Sequence, residues 1–306
     1  MKIEIQHLSK SYGNLLALNN INLTLTPGIY ALLGSNGAGK STLINLLTGN
    51  LKPSNGCILY NGKNISELNE DYRAILGYMP QQQGLYEQFN AYRFLNYMAA
   101  LKGMDKKTTK AEIERVLKIV NLQKDAHRLL GQYSGGMKQR ILVAQAIMNQ
   151  PDIIILDEPT AGLDPKERIR IRNIISEIAG DKIVLFATHV VSDIEHIAKE
   201  VILIKNGSIL NHQSPLEFCK SIQGKVFEIF IEEKELKKVQ DIYLISNITQ
   251  QANGLLVRIL TDQPPISYHY QESIPNLEDV YLYHFSDEKK HKMDIPENVT
   301  STNQCH

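Results

Sequence analysis

The stretch Gly34-Ser35-Asn36-Gly37-Ala38-Gly39-Lys40-Ser41-Thr42 constrains this chain more than any other. It has the form G-x-x-x-x-G-K-S, whose glycines let the backbone curl until several N–H groups point at one anion. The apolar run from Gly28 to Leu33 starts at a turn and reads as a buried strand. After the loop, Leu43, Ile44, Leu46 and Leu47 recur at helical spacing. Strand, glycine loop and helix together make a phosphate cradle, because the helix start adds the positive end of its dipole. Lys40 is then placed to reach the β- and γ-phosphates of a nucleotide, and the Ser41 hydroxyl to ligate Mg²⁺.

With 306 residues the chain has room for about two domains. Lys plus Arg and Asp plus Glu each total 33, so the formal net charge is zero. A general nucleic-acid binder needs a basic footprint, which this balance does not supply. The cysteines, Cys57, Cys219 and Cys305, lie far apart without metal or C-x-x-C spacing and read as free thiols of a reducing cytosol. Met1 to Ile5 alternates like a strand and lacks the apolar core of a signal peptide. No uninterrupted apolar run reaches the roughly 18 residues of a membrane span, so the chain is not expected to form a transmembrane pore itself.

Residues 3–25 read as strands broken by a turn from Ser11 to Asn14, and Cys57 to Tyr60 as a strand leading into a type I′ turn at Asn61-Gly62. Tyr12 can stack on a base or simply pack on its neighbours. Leu76 to Met79 is a short strand ending at Pro80 and Gln81. A side-chain amide there can reach a metal or water in a cleft, or sit in a polar loop. From about 84 to 145 the pattern turns helical. Phe94, Leu95, Met98 and Leu101 form one stripe and Ile113, Val116, Leu117 and Val120 a second, with Lys106 to Lys110 read as the loop between them. Ser134-Gly135-Gly136 opens a further helix. Ser134 suits an N-cap, but two glycines at a helix start imply that something must come close.

Ile153 to Leu156 are consecutively apolar, as in a strand buried on both faces of a parallel sheet. Asp157 and Glu158 follow at its C-terminal end, the edge where open α/β sheets bind ligands. Adjacent acids repel there, and a bound Mg²⁺ would relieve them. Asp164, Pro165 and Glu167 make a capping start for the next helix, which alone would explain Asp164. Ile183 to Thr188 repeats the buried-strand pattern and places His189 at the same edge, a candidate functional residue. The α/β pattern stops near Gly224. Strands at 226–231, 241–245 and 255–260, with helices at 232–238 and 277–285, predict an accessory α+β domain over 225–285; 286–306 reads as a polar, frayed tail.

Taken together, these segments resemble the ATP-binding subunit of an ABC transporter over about residues 2–220. Gly34 to Thr42 match the Walker A motif, Gln81 the Q-loop and Ser134-Gly135-Gly136 the signature. Ile153 to Asp157 with Glu158 match Walker B and its glutamate, Ala161 to Asp164 the D-loop and His189 the switch histidine. Tyr12 falls where the family's adenine-stacking aromatic lies. The signature departs from the commonest form, Leu-Ser-Gly-Gly-Gln, at Tyr133 and Met137. The accessory domain, ending in Leu277-Glu278-Asp279-Val280, resembles the C-terminal extension of exporter-type bacterial cassettes.

The resemblance implies an α/β P-loop NTPase fold of ABC type over 1–224, with an antiparallel β-subdomain and a helical insertion at about 84–145. It implies ATP and Mg²⁺ as cofactors. Tyr12, Gly34, Ser35, Asn36, Gly37, Ala38, Gly39, Lys40, Ser41 and Thr42 would hold the nucleotide. Ser41, Gln81 and Asp157 would hold the metal, Glu158 would polarise the attacking water, and His189 would contact the γ-phosphate. Ser134, Gly135, Gly136 and Asp164 would reach the ATP of a second cassette, a homodimer facing head to tail. The other implied partner is a separate transmembrane permease, which would hold this cytoplasmic subunit at the inner face of the cell membrane. The accessory domain points to export. The alternative is a soluble ABC ATPase acting on a nucleic-acid or ribosomal partner. Against it, the segment from Lys40 to Ser134 carries no heptads of a long coiled coil, and the chain holds one cassette rather than two.

Overall fold

The computed structural model describes residues 1–82 and 84–286, so of the expected tail only Ser286 lies within the described residues. The chain divides into two compact units, Met1–Pro215 and a second that starts at Leu216. In chain order the first unit contains β1 (Ile3–Tyr12), β2 (Leu15–Leu25), β3 (Gly28–Leu33), α1 (Lys40–Leu47), β4 (Asn55–Tyr60) and β5 (Lys63–Asn64). The short helices α2 (Ile65–Leu68) and α3 (Glu70–Ala74) precede β6 (Leu76–Met79), α4 (Ala91–Leu101), α5 (Lys106–Ile119) and α6 (Gly135–Ala146). Then come β7 (Ile153–Asp157), α7 (Pro165–Ala179), β8 (Ile183–Thr188), β9 (Glu200–Lys205) and β10 (Ser208–Gln213).

β9, β3, β8, β7 and β6 pair in parallel in that order, and β10 adds antiparallel at one edge. Every residue of β7 and β8 is buried, as strands covered on both faces require. Parallel neighbours need a crossover, which α7 supplies between β7 and β8. Because these strands run the same way, Leu33, Met79, Asp157 and Thr188 all end at one edge of the sheet.

The second sheet, β2-β1-β4-β5, is antiparallel. Asn61 (φ 49°) and Gly62 (φ 82°) both take the left-handed backbone of a type I′ turn. Tyr12 is the last residue of β1, paired with Leu15, so the expected turn shrinks to Gly13-Asn14. Leu8, Leu18 and Ile21 of this sheet share one buried cluster with Leu43 and Leu47 of α1 and with Ile155 and Leu185 of the parallel sheet.

The helical segment departs from expectation at one place. Lys106 to Lys110 are the first turns of α5 rather than a loop. Asp105 caps that helix: its carboxylate accepts from the Lys107 N–H at 3.2 Å, and the Thr109 hydroxyl donates to its carbonyl at 2.8 Å. α6 is buried along most of its length, from Arg140 to Ala146 without a break, so no single apolar stripe marks it. β6 rests directly on α6. A Cβ on Gly77 would lie 2.1 Å from the Ala146 carbonyl oxygen, and the Gln145 side-chain amide donates to the Tyr78 carbonyl at 2.8 Å.

The second unit contains α8 (Pro215–Ser221), β11 (Val226–Ile231), α9 (Leu236–Ile242), β12 (Leu244–Gln251), β13 (Gly254–Leu260), β14 (Tyr270–Glu272) and α10 (Leu277–Phe285). Its antiparallel sheet has the order β12-β13-β11-β14. Phe227, Ile229, Val257 and Ile259 form its core with Val239 and Tyr243. The strand expected at 241–245 is displaced: Asp241 and Ile242 end α9, and β12 runs on to Gln251. The reason is that Val239 and Tyr243, one helical turn apart, both bury against the sheet.

Gly77→Ala should lower stability by about 1–3 kcal/mol, since the added methyl meets backbone that cannot move aside. Urea unfolding beside Gly84→Ala, where a Cβ meets nothing within 4 Å, gives the comparison. Equal midpoints for the two variants would contradict the close packing of β6 on α6.

Candidate functional site

The loop between β3 and α1 forms the floor of a cleft of about 470 Å³, within the roughly 300–1,000 Å³ of small-ligand sites. Ser35, Asn36, Gly37, Gly39, Lys40, Ser41 and Thr42 line it, and so do Tyr12, Gln81, Asp157 and Glu158. The structure thus brings together four segments far apart in sequence. Gly34 and Ala38 lie behind the lining. A Cβ on Gly34 would come 2.5 Å from the Ile204 carbonyl oxygen, so the passage of β9 demands glycine there. Gly37 (φ 80°) and Gly39 (φ 110°) take left-handed backbone, which sets the curl of the loop. No side chain caps α1, and its first residues line the cleft, so its uncapped N–H groups are available to an anion there.

Residues that the sequence did not mark prop this loop from outside. The Gly207 N–H donates to the Ala38 carbonyl at 2.9 Å, and the Asn19 N–H donates to the Gly207 carbonyl at 2.8 Å. Asn206 and Gly207 also line the cleft. Their only sequence signal is the Asn-Gly pair, which announces a hairpin and says nothing of what the hairpin rests on.

The charges of the cleft are buried and mutually dependent. The Lys40 ammonium donates to the carbonyls of Gly34 at 2.7 Å and Ser35 at 3.1 Å. Burial pulls its pKa below the usual lysine value, against the opposing pull of Glu158 and Asp157. Burial, and then the Glu158 carboxylate, push the Asp157 carboxyl up to about 6, against the pull of Lys40. Glu158 lies one residue past β7 with a left-handed backbone (φ 53°), and its N–H donates to the Ala187 carbonyl at 2.9 Å. Its Oε1 lies 2.8 Å from His189 Nδ1, while Oε2 accepts from the Thr188 hydroxyl at the long distance of 3.5 Å.

Among the described residues no cluster of three or more His, Cys, Asp or Glu could hold a metal. A cation here would instead draw on the Ser41 hydroxyl, the Gln81 amide oxygen and the Asp157 carboxylate, which share the cleft. This all-oxygen set fits Mg²⁺, and a divalent charge would relieve an aspartate raised by burial and then by its acidic neighbour.

Ser134, Gly135, Gly136 and Asp164 do not line the cleft. Ser134 caps α6, its Oγ accepting from the Met137 N–H at 3.3 Å, and Asp164 caps α7, its Oδ1 accepting from the Glu167 N–H at 3.0 Å. A Cβ on Gly136 would come within 2.6 Å of the Glu167 side chain, whereas one on Gly135 would meet only Leu163 at 3.8 Å. The close neighbour that demands glycine at 136 is therefore this chain's own α7, and room for an outside group remains at Gly135 alone. Glu167 is held in turn by Arg140 at 3.3 Å and Arg170 at 2.5 Å.

A family profile described as ABC transporter matches residues 18–161. The chain is 37% identical over 233 residues to the uncharacterized ABC transporter ATP-binding protein YxlF of Bacillus subtilis (strain 168), covering 76% of this chain and 77% of that one. It is 29% identical to the Nod factor export ATP-binding protein I of Burkholderia orbicola (strain AU 1054), covering 92% of this chain and 95% of that one. Among solved structures it resembles the dimeric bacterial ABC transporter cassette MJ0796, with a TM-score of 0.62 and 26% identity over 69% of this chain and 98% of that chain.

An acid whose pKa rises on folding costs stability once it ionises; for Asp157 that cost is absent below its ordinary 3.8 and complete above about 6. In nucleotide-free protein held in chelator, Asp157→Asn should stabilise by about 1–2 kcal/mol near pH 7.5, with the gain shrinking as pH falls toward about 5. Thermal unfolding at the two pH values measures it. No gain at the higher pH, or an equal gain at both, would contradict the charge balance described.

Proposed function

This chain belongs to the family of ABC transporter ATP-binding proteins, and we propose that it drives export through a separate transmembrane permease by Mg²⁺-dependent ATP hydrolysis. The convergence of Lys40, Asp157 and Glu158 on one cleft, with His189 outside its lining but 2.8 Å from the Glu158 carboxylate, supports the reading most. The ATP phosphates lie on the N–H groups of residues 34–42, and the Lys40 ammonium exchanges the Gly34 and Ser35 carbonyls for phosphate oxygens. The Tyr12 ring, at the cleft wall with the Lys10 ammonium 5.3 Å from its centroid, stacks on the adenine. Ser41, Gln81 and Asp157 hold Mg²⁺, which neutralises charge on the phosphate oxygens. Glu158, buried beside His189, takes the proton of the attacking water. His189, whose side chain is 56% exposed, keeps a free edge for the γ-phosphate.

Ser134, Gly135, Gly136 and Asp164 act on the nucleotide of a second copy, arranged head to tail. Their absence from the lining of this chain's own cleft, the room at Gly135 and the dimeric state of MJ0796 favour that reading. ATP binding draws the two copies together and hydrolysis releases them. The helical segment 84–145 passes the motion to the permease; it presents Tyr86 and Tyr97 as exposed aromatics. No described helix is long and apolar enough to cross a membrane, so the permease supplies the pore and holds this subunit at the inner face. Export rests on the relative named for Nod factor export, whose similarity spans 92% of this chain and so reaches into the accessory domain at 225–285. The zero net charge favours this reading over one with a nucleic-acid partner.

Glu158→Gln should keep ATP binding but slow turnover by ~10²–10⁴-fold and accumulate an ATP-bound dimer, seen by size-exclusion chromatography. Hydrolysis near the wild-type rate would remove Glu158 from its role.

A further inference from the structure

The two loops that carry Glu158 and His189 are joined by a buried bridge that the mechanism above does not use. Asp193 is 1% exposed, and both its oxygens are engaged. Oδ2 accepts from the Thr160 hydroxyl at 2.7 Å; Oδ1 accepts from Arg168 Nε at 3.1 Å and Nη2 at 3.0 Å. Thr160 follows Glu158 closely and Asp193 follows His189 closely, so this one contact ties the loop after β7 to the loop after β8. Arg168 and Arg172, one turn apart on α7, fasten the His189 side further: Arg168 Nη2 donates to Ser192 Oγ at 3.2 Å and Arg172 to the Ser192 carbonyl at 2.5 Å.

A buried carboxylate survives only if it is fully matched, and an apolar residue would fill the same space at less risk. What the bridge holds is unusual backbone. Glu158 is a non-glycine residue at φ 53°, a conformation that persists only where its surroundings over-determine it. Around it, the Ala161 N–H donates to the Glu158 carbonyl at 3.2 Å and the Leu163 N–H to the Thr160 carbonyl at 3.3 Å. The Glu158 carboxylate must also meet His189 Nδ1 from that backbone.

We propose that Asp193, with Thr160 and Arg168, is a positioning residue for hydrolysis: it holds the Glu158 and His189 loops in register so that the carboxylate faces the attacking water. This rests on the reading of Glu158 as the base. Through Arg168 the bridge also ties that register to α7, the helix that Asp164 caps.

Steady-state ATPase rates and equilibrium binding of a labelled ATP analogue, measured on the full chain for Thr160→Val, Thr160→Ser, Asp193→Asn and Glu158→Gln, test the assignment. Thr160→Val and Asp193→Asn should each lower kcat about tenfold or more with KM and analogue affinity almost unchanged, as a small misplacement of a reacting group does. Thr160→Ser, which keeps the donor, should restore turnover. A bridge that only stabilised the fold would lower the unfolding temperature and leave this split unmoved. Unchanged kcat in Thr160→Val, or a raised KM alone, with Glu158→Gln inactive, overturns the proposal; rapid hydrolysis by Glu158→Gln overturns the underlying reading instead. If Asp193→Asn does not fold, the Thr160 pair decides the matter alone.

Discussion

Lys40 carries its ammonium into a cleft where the carboxylates of Asp157 and Glu158 are also buried. Out of water, a cation and two adjacent anions constrain one another: each is tolerated only through the others or through backbone dipoles. Within the chain itself the balance is partial. Lys40 leans on two carbonyls of its own loop, and Asp157 is pushed up to about 6. A polyphosphate with a divalent cation would complete it, since each group then has an opposite charge. The sheet exists in the form that makes this meeting possible: β3, β8 and β7 are parallel and adjacent, so the phosphate loop, His189 and the acid pair leave the same edge.

The other half of the expected machinery stands on different ground. Ser134 and Asp164 cap α6 and α7, and those helix starts are locked to each other through Gly136, Glu167 and Arg140. They form one corner, and none of its residues lines the cleft. In the proposed pairing, each copy offers a charge-bearing cleft and a capped-helix corner to its neighbour. Neither would work alone, which makes turnover depend on assembly.

The core of the fold was legible because unbroken apolar runs such as Ile153 to Leu156 have few structures open to them, and a G-x-x-x-x-G-K-S loop beside one has fewer still. What the sequence hid was mostly partnership over distance. It indicated that something approaches the double glycine but not that Glu167 is the neighbour of Gly136. The Asn206-Gly207 pair announces a turn but not that the turn supports Ala38. Thr160 and Asp193 look like ordinary loop polar residues until β7 and β8 pair and bring them to 2.7 Å. Local misreadings have local causes: the Asp105 cap outweighs the lysines that made α5 look like a loop at its start, and the burial of Val239 and Tyr243 carries α9 past its expected end.

Completion of the site by a second copy is tested most directly by crosslinking cysteines introduced as Asn36→Cys and Ser134→Cys. The chain would also carry Glu158→Gln and lack Cys57, Cys219 and Cys305. The head-to-tail arrangement predicts a link between two chains that forms only with ATP. A link confined to one chain, or one that forms equally well without ATP, would contradict it.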